Sequence, residues 1–201
     1  EVVLGPTAAL YVPNAHNGLV NTLSKDPRTS RGITAAIGGG NQSVYTWRAR
    51  IAEVFDEHLA FKMSVEYDRG KEFGYVDTVY NAAGTLAWPE LDLNLDFYSF
   101  RGEAALYVSP TVDQDLIITY GRSTSSNIGV TNAGRNQIQD WGIEFLQARY
   151  VSPHFFAQIY NTWSSTDSTY AINQRTQNYQ SFKLAGFSEE ESRRRSFKEQ
   201  L

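Results

Sequence analysis

Apolar and polar side chains alternate with a period of two through the middle of the chain, most cleanly over residues 58–68. Leu59, Phe61, Met63, Val65 and Tyr67 share one parity, and Ala60, Lys62, Ser64, Glu66 and Asp68 share the other. A strand sends these sets to opposite faces, so one face is wholly apolar and the other almost wholly charged or small. Before this stretch, Tyr45, Trp47, Ala49, Ile51 and Phe55 share a parity broken at Glu53, opposite Thr46, Arg48 and Arg50. After it, Tyr98, Phe100, Gly102, Ala104, Leu106 and Val108 oppose Ser99, Arg101, Glu103 and Tyr107. Leu116, Ile118 and Tyr120 then oppose Thr119, Gly121 and Ser123. Residues 141–151 and 155–163 are strand-like with less regular alternation. With a further strand near residues 32–39, the pattern predicts an all-β, antiparallel sheet of about seven strands.

The links between these segments differ in length. Residues 55–58, 109–114 and 152–154 are short turns containing Pro or Asp, and residues 40–43 form another compact link. Residues 70–94, 124–139 and the region from 164 onward are read as long links. Short turns at one end of a meander and long loops at the other characterise membrane β-barrels. A soluble β-sandwich shares the alternation and the hairpins. Charges lining one whole face, and strands of about ten residues with aromatics near their ends, favour the barrel.

Composition sharpens that choice. Aromatics are 13% of the residues, with twelve Tyr, eleven Phe and four Trp, although the mean hydropathy is −0.41. Amphipathic rings suit a surface that is apolar on one side and wet on the other. A net charge of −4 and a pI near 5.4 argue against general nucleic-acid binding. The absence of cysteine excludes a disulfide framework, a thiolate metal site and a Cys nucleophile. No stretch approaches eighteen apolar residues, so no transmembrane helix is expected. No signal peptide precedes Glu1, which suggests a chain beginning in mid-protein.

Catalytic signals are weak. His16, His58 and His154 are far apart and lie at turns, where a plain turn residue is favoured over a metal ligand or acid–base group. Gly38, Gly39 and Gly40 are followed by Asn41 rather than a Lys-Ser pair, so they mark a flexible strand end, not a phosphate loop. No hydrolase or metalloprotease motif is present, and neither a catalytic residue, a cofactor nor a metal site is assigned. Ser188 with Glu191 forms a capping box, and Glu189–Arg193, Glu190–Arg194 and Glu191–Arg195 are spaced i,i+4, so a short helix is expected there.

Residues 1–30 are rich in Gly, Pro, Asn and Ala. They suggest a strand ending at Gly5-Pro6, a helix or turn over residues 7–11, a Gly-Asn corner and a strand ending at Pro27. This segment resembles the closing stretch of the plug domain of TonB-dependent outer-membrane receptors. Their pattern runs roughly E-V-L-R-G-P, then A-L-Y-G, then G-G-V-I-N-I-x-T-K-x-P. Glu1, Val2, Gly5, Pro6, Ala9, Leu10, Tyr11, Ala15, Gly18, Asn21, Lys25 and Pro27 match it in order. Leu4 replaces the usual Arg, Val12 the Gly after Tyr, and Asn17 the first of the paired Gly.

The resemblance implies that residues 1–30 close a plug and residues 31–201 begin a barrel of about 22 strands around a plugged lumen. It implies a bacterial outer-membrane location, contact with membrane lipid, and active import of a scarce nutrient driven by the TonB energy-coupling complex. A siderophore, cobalamin, an oligosaccharide or a peptide would be the small-molecule or oligomeric ligand, and a surface lipoprotein is a further partner of this class. Arg48, Arg50, Lys62, Glu66, Arg101 and Glu103 would then face the lumen, because charge cannot face lipid cheaply. Tyr75, Tyr80 and Trp88 are candidates for stacking on a ligand. The rival reading is a plug-and-barrel protein that serves as a structural or docking subunit without transport.

Overall fold

The computed structural model describes residues 2–4, 18–20, 24–75, 77–81, 83–132 and 134–197. Two short strands, β1 (Val2–Leu4) and β2 (Gly18–Val20), pair antiparallel, with Leu4 opposite Gly18. Residues 24–26 are irregular and residues 27–30 form a turn, so no strand ends at Pro27. Residues 7–11 lie outside the described set.

The alternating segments fold as β3 (Gly32–Gly39), β4 (Tyr45–Val54) and β5 (Leu59–Lys71). A two-stranded hairpin of β6 (Thr78–Tyr80) and β7 (Ala87–Pro89) occupies the first long link. Then come β8 (Asp96–Thr111), β9 (Gln114–Thr131), β10 (Gly134–Val151), β11 (Phe156–Ser165) and the short β12 (Tyr170–Ala171). Two helices follow, α1 (Ile172–Leu184) and α2 (Glu189–Arg195). β3, β4, β5, β8, β9, β10 and β11 hydrogen-bond in that order as an antiparallel meander, and β12 joins the edge of β10. Strand is 59% of the chain and helix 12%, so the protein is mostly antiparallel β-sheet, and no closed barrel forms.

One predicted loop is absent. Residues 124–139 are not a long link: β9 and β10 run eighteen residues each and meet at a tight turn around Asn132. The β-branched Thr124, Ile128, Val130 and Thr131 keep the ladder going among polar neighbours after the apolar alternation fades, so hydropathy missed it. The register shifts once, between Ile138 and Trp141, where Asp140 adopts φ 48° at a β-bulge.

Residues directly opposite in an antiparallel pair share a face. Arg48 lies opposite Glu66, and Glu66 opposite Arg101. Arg50 lies opposite Ser64, and Ser64 opposite Glu103. Lys62 falls between Ala52 and Ala105 on the same face. Across the sheet, the other face carries Ile33, Ile37, Trp47, Phe61, Met63, Leu106, Ile118 and Leu146.

The core is small for the length. Ala60, Ala105, Tyr107 and Ile117 form one buried cluster on the charged-face side, with Val54 against it. The chain exposes 13572 Å². A compact globular protein of this mass exposes only about 9500 Å² by the usual surface–mass scaling. Ile33, Ile37 and Ile159 are each more than 70% exposed on the apolar face. An apolar surface this extensive requires an apolar neighbour.

Candidate functional site

Two strips of chemistry flank the sheet: a segment crossing its charged face, and aromatic rows on its apolar face. The crossing segment begins with a self-stabilised turn. Asp26 accepts from the Arg28 backbone N–H at 2.7 Å, and its carbonyl accepts from the Ser30 hydroxyl at 2.7 Å. Pro27 is fully buried, where its missing N–H leaves no donor unsatisfied.

Four strands grip this turn. Arg28 forks onto Asp115 of β9 at 2.7 and 3.2 Å and also donates to Ser109, whose hydroxyl donates to Asp115 at 2.6 Å. Arg50 of β4 donates to the Ser30 carbonyl at 2.9 Å and to its hydroxyl at 2.7 Å. Lys62 of β5, only 7% exposed, donates to the Ser24 hydroxyl at 2.7 Å and the Lys25 carbonyl at 3.1 Å. Arg28 and Lys62 also approach the Tyr107 ring, at 5.6 and 5.7 Å from its centroid. A buried ammonium without an acidic partner among the described residues persists here because two oxygens of the crossing segment and an aromatic face solvate it.

Beyond the segment the charged face opens into a groove of about 760 Å³. Lys25, Arg31, Arg48, Arg50 and Arg101 line it, against Glu66 and Glu103. Arg101 bonds Glu66 at 3.0 Å and lies 3.8 Å from Asp68. The groove is therefore wet and net basic. It can hold polar or anionic groups but contains no nucleophile–base pair.

On the apolar face the rings of Trp47, Tyr67 and Tyr98 run across three strands at centroid separations of 6.2 and 6.3 Å. Near the short-turn end, Phe55 stacks on Phe61 at 5.5 Å. Tyr45 and Phe55 are ten residues apart, about 34 Å along an extended strand. Arg122 and Glu144 on this face neutralise each other at 3.4 Å, and Tyr120 donates to Glu144 at 3.2 Å.

The first long link and the two helices form a cap at the other end. Glu90 and Arg135 are a buried ion pair, their side chains 3% and 4% exposed, with the Tyr75 ring 4.0 Å from the guanidinium. Thr176 accepts from the Leu91 backbone at 3.0 Å, and Gln177 donates to the Tyr80 carbonyl at 2.6 Å. Asp92 bridges Arg175 of α1 and Arg193 of α2. Burial pushes the Asp92 carboxyl up, but the Arg193 hydrogen bond and the Arg175 charge outweigh it and hold its pKa below the ordinary carboxylate value.

The six charged-parity residues thus share one face, and Arg50 and Lys62 touch the crossing segment directly. The aromatic candidates do not cluster: Tyr75 packs on Arg135, Tyr80 is 56% exposed at the end of β6, and Trp88 pairs with Val79 in the hairpin. Among the described residues no ring contact joins the three. Of the plug-like residues, Val2, Gly18, Lys25 and Pro27 are described; Glu1, Gly5, Pro6, Ala9, Leu10, Tyr11, Ala15 and Asn21 lie outside the described set. Arg28, Ser109 and Asp115, the strongest grip on the segment, were missed. Arg28 and Asp115 are 87 residues apart, and nothing in a single sequence links them. Comparison of the chain with protein-family models, with curated proteins and with solved structures finds no match.

Proposed function

We propose that the chain is a section of the wall of an outer-membrane β-barrel of the TonB-dependent import class. Residues 1–30 would belong to a plug, and the barrel of about 22 strands would be completed by further chain. One observation carries the proposal: the segment at 24–31 lies on the charged face, while the opposite face exposes apolar side chains between aromatic rows. A lumen supplies the wet neighbour and a bilayer the apolar one. Arg48, Arg50, Lys62, Glu66, Arg101 and Glu103 would line the lumen, and the basic groove would lie on the solute's route. Import, rather than passive docking, is favoured because polar bonds and one small aromatic contact hold the segment, and such bonds can exchange with water when the plug is pulled.

The test uses cells making the intact gene product and a panel of labelled ferric siderophores, cobalamin, oligosaccharides and peptides. One class should accumulate only while the inner membrane is energised, and an uncoupler should abolish its uptake. Surface binding that never converts to uptake, and that an uncoupler leaves unchanged, would instead favour the docking-subunit reading.

A further inference from the structure

The cap leaves a second cavity, of about 610 Å³, on the apolar-face side of the sheet. Asn94, Gln137 and Asp140 bound it on the cap side, and Arg69, Lys71 and Tyr98 on the sheet side. The bulge in β10 shapes it. There the Asp140 amide donates to the Ser126 hydroxyl at 2.9 Å, and the Asp140 carboxylate accepts from the Tyr98 hydroxyl. Asp140 is thereby engaged. Lys71 is held only loosely, 3.8 Å from Asp96, with both side chains more than half exposed. Arg69 lies beside the Tyr45 ring, 6.0 Å from its centroid, and has no acidic partner among the described residues.

Position along the strand gives these cations a role. Tyr67, Arg69 and Lys71 follow one another on the same face of β5, and Tyr67 belongs to the aromatic row. Tyr45 and Tyr98 stand opposite Arg69, and for a strand tilted by roughly 40° Arg69 sits about 5 Å and Lys71 about 10 Å beyond Tyr67. The headgroup layer occupies about the same depth, since an apolar core of ~30 Å lies within a bilayer of ~40–45 Å.

Resting on the membrane-wall proposal above, we infer that this notch binds the phosphate-bearing headgroup of a lipid in the surrounding leaflet. Arg69 forks onto two phosphate oxygens, and Lys71 exchanges Asp96 for a third. Tyr98 and Tyr45 flank the headgroup, and the acyl chains run down the apolar face past Met63. The charge balance favours a lipid over a diffusible anion. With Asp96 and Asp140 the notch is formally neutral and draws little from solution, whereas a lipid arrives laterally and is anchored by its tails.

The intact gene product is purified in neutral detergent micelles, and lipid retention is read by native mass spectrometry, with phosphatidic acid and phosphatidylcholine as probes. Arg69→Gln combined with Lys71→Gln should weaken phosphatidic acid retention roughly thirtyfold, the factor expected for two cations at a lipid surface. Phosphatidylcholine should change far less. Arg69→Lys with Lys71→Arg should restore most of the retention, and Lys183→Gln, exposed on α1 away from the notch, should have no effect. Undiminished retention in the double Gln variant, with its β-sheet signal intact, overturns the site alone. Displacement of the lipid by millimolar inorganic phosphate would assign the notch to a soluble anion and also overturn the proposal. An intact gene product that never enters micelles as β-sheet refutes the membrane reading and the site with it.

Discussion

Arg28 shows how little of the decisive chemistry lies in local pattern. Alternation correctly separates Lys62 and Arg50 from Met63 and Ile51, because the period of a strand is set by covalent geometry. It carries no information about Arg28, which sits in a turn and finds Asp115 only after the meander has formed. Their planar two-point contact is geometrically strong, yet both side chains remain about 30% exposed, which tempers its worth. A double-mutant cycle on Arg28→Ala and Asp115→Ala, read from unfolding in detergent, should give a coupling of about 1 kcal/mol. Lys62→Ala should cost more than Arg28→Ala, about 1–3 kcal/mol, since Lys62 is buried and its loss removes packing beside Tyr107 together with two charge-assisted bonds to the segment. Equal, negligible losses for both would mean the segment is not held by these contacts.

At the scale of elements, the strands with apolar alternation were legible and those without it were not. β5 reads cleanly because every second residue is large and apolar, whereas the far halves of β9 and β10 are polar on both faces. α1 escaped for a related reason. Its buried stripe is Ile172, Arg175, Thr176, Tyr179 and Phe182, helical in spacing but partly polar, so a hydropathy pattern cannot show it. α2 was legible through its cap: the Ser188 hydroxyl accepts from the Glu191 amide at 3.2 Å, and Glu189–Arg193 and Glu191–Arg195 both form. Glu190 makes no such pair; Arg194 turns to Glu191 at 2.8 Å.

The two helices are tied to the hairpin loop through Asp92, and this makes the cap sensitive to acid. Asp92 titrates below its unfolded value, so its stabilising effect is fully present above about pH 4 and is lost as pH falls through the lower folded pKa. Glu191, held low by Arg195 and then Arg194, acts in the same direction. Hydrogen exchange, corrected for its intrinsic pH dependence, should show protection of the α1 and α2 amides falling as pH drops below about 4 while the meander stays protected. Asp92→Asn should lower that protection at neutral pH and flatten its acid dependence. Loss of protection in the sheet and the cap together would contradict a separable cap.

The whole molecule has two unlike ends, and on the membrane-wall proposal its orientation would follow from them. The links around 55–58, 112–113 and 152–155 are all short and lie at the end where Arg28 and Lys62 hold the crossing segment. The hairpin, the extended β9–β10 ladder and both helices lie at the other end. In membrane barrels the short turns face the periplasm and the elaborated loops face outward. A plug entering from the periplasmic side would meet the sheet at its short-turn end, where the crossing segment is bound. Single cysteines report this directly, since the chain has none of its own. Glu57 and Val112 are exposed at the short turns, and Ala83 and Asn132 at the opposite end, so all four positions tolerate substitution and admit a reagent. On intact cells an impermeant thiol reagent should label Ala83→Cys and Asn132→Cys. Glu57→Cys and Val112→Cys should react only after the outer membrane is permeabilised. The reverse pattern would invert the topology and detach the segment from any periplasmic plug. Labelling of all four on intact cells would remove the bilayer altogether, leaving the exposed apolar face to be covered by protein.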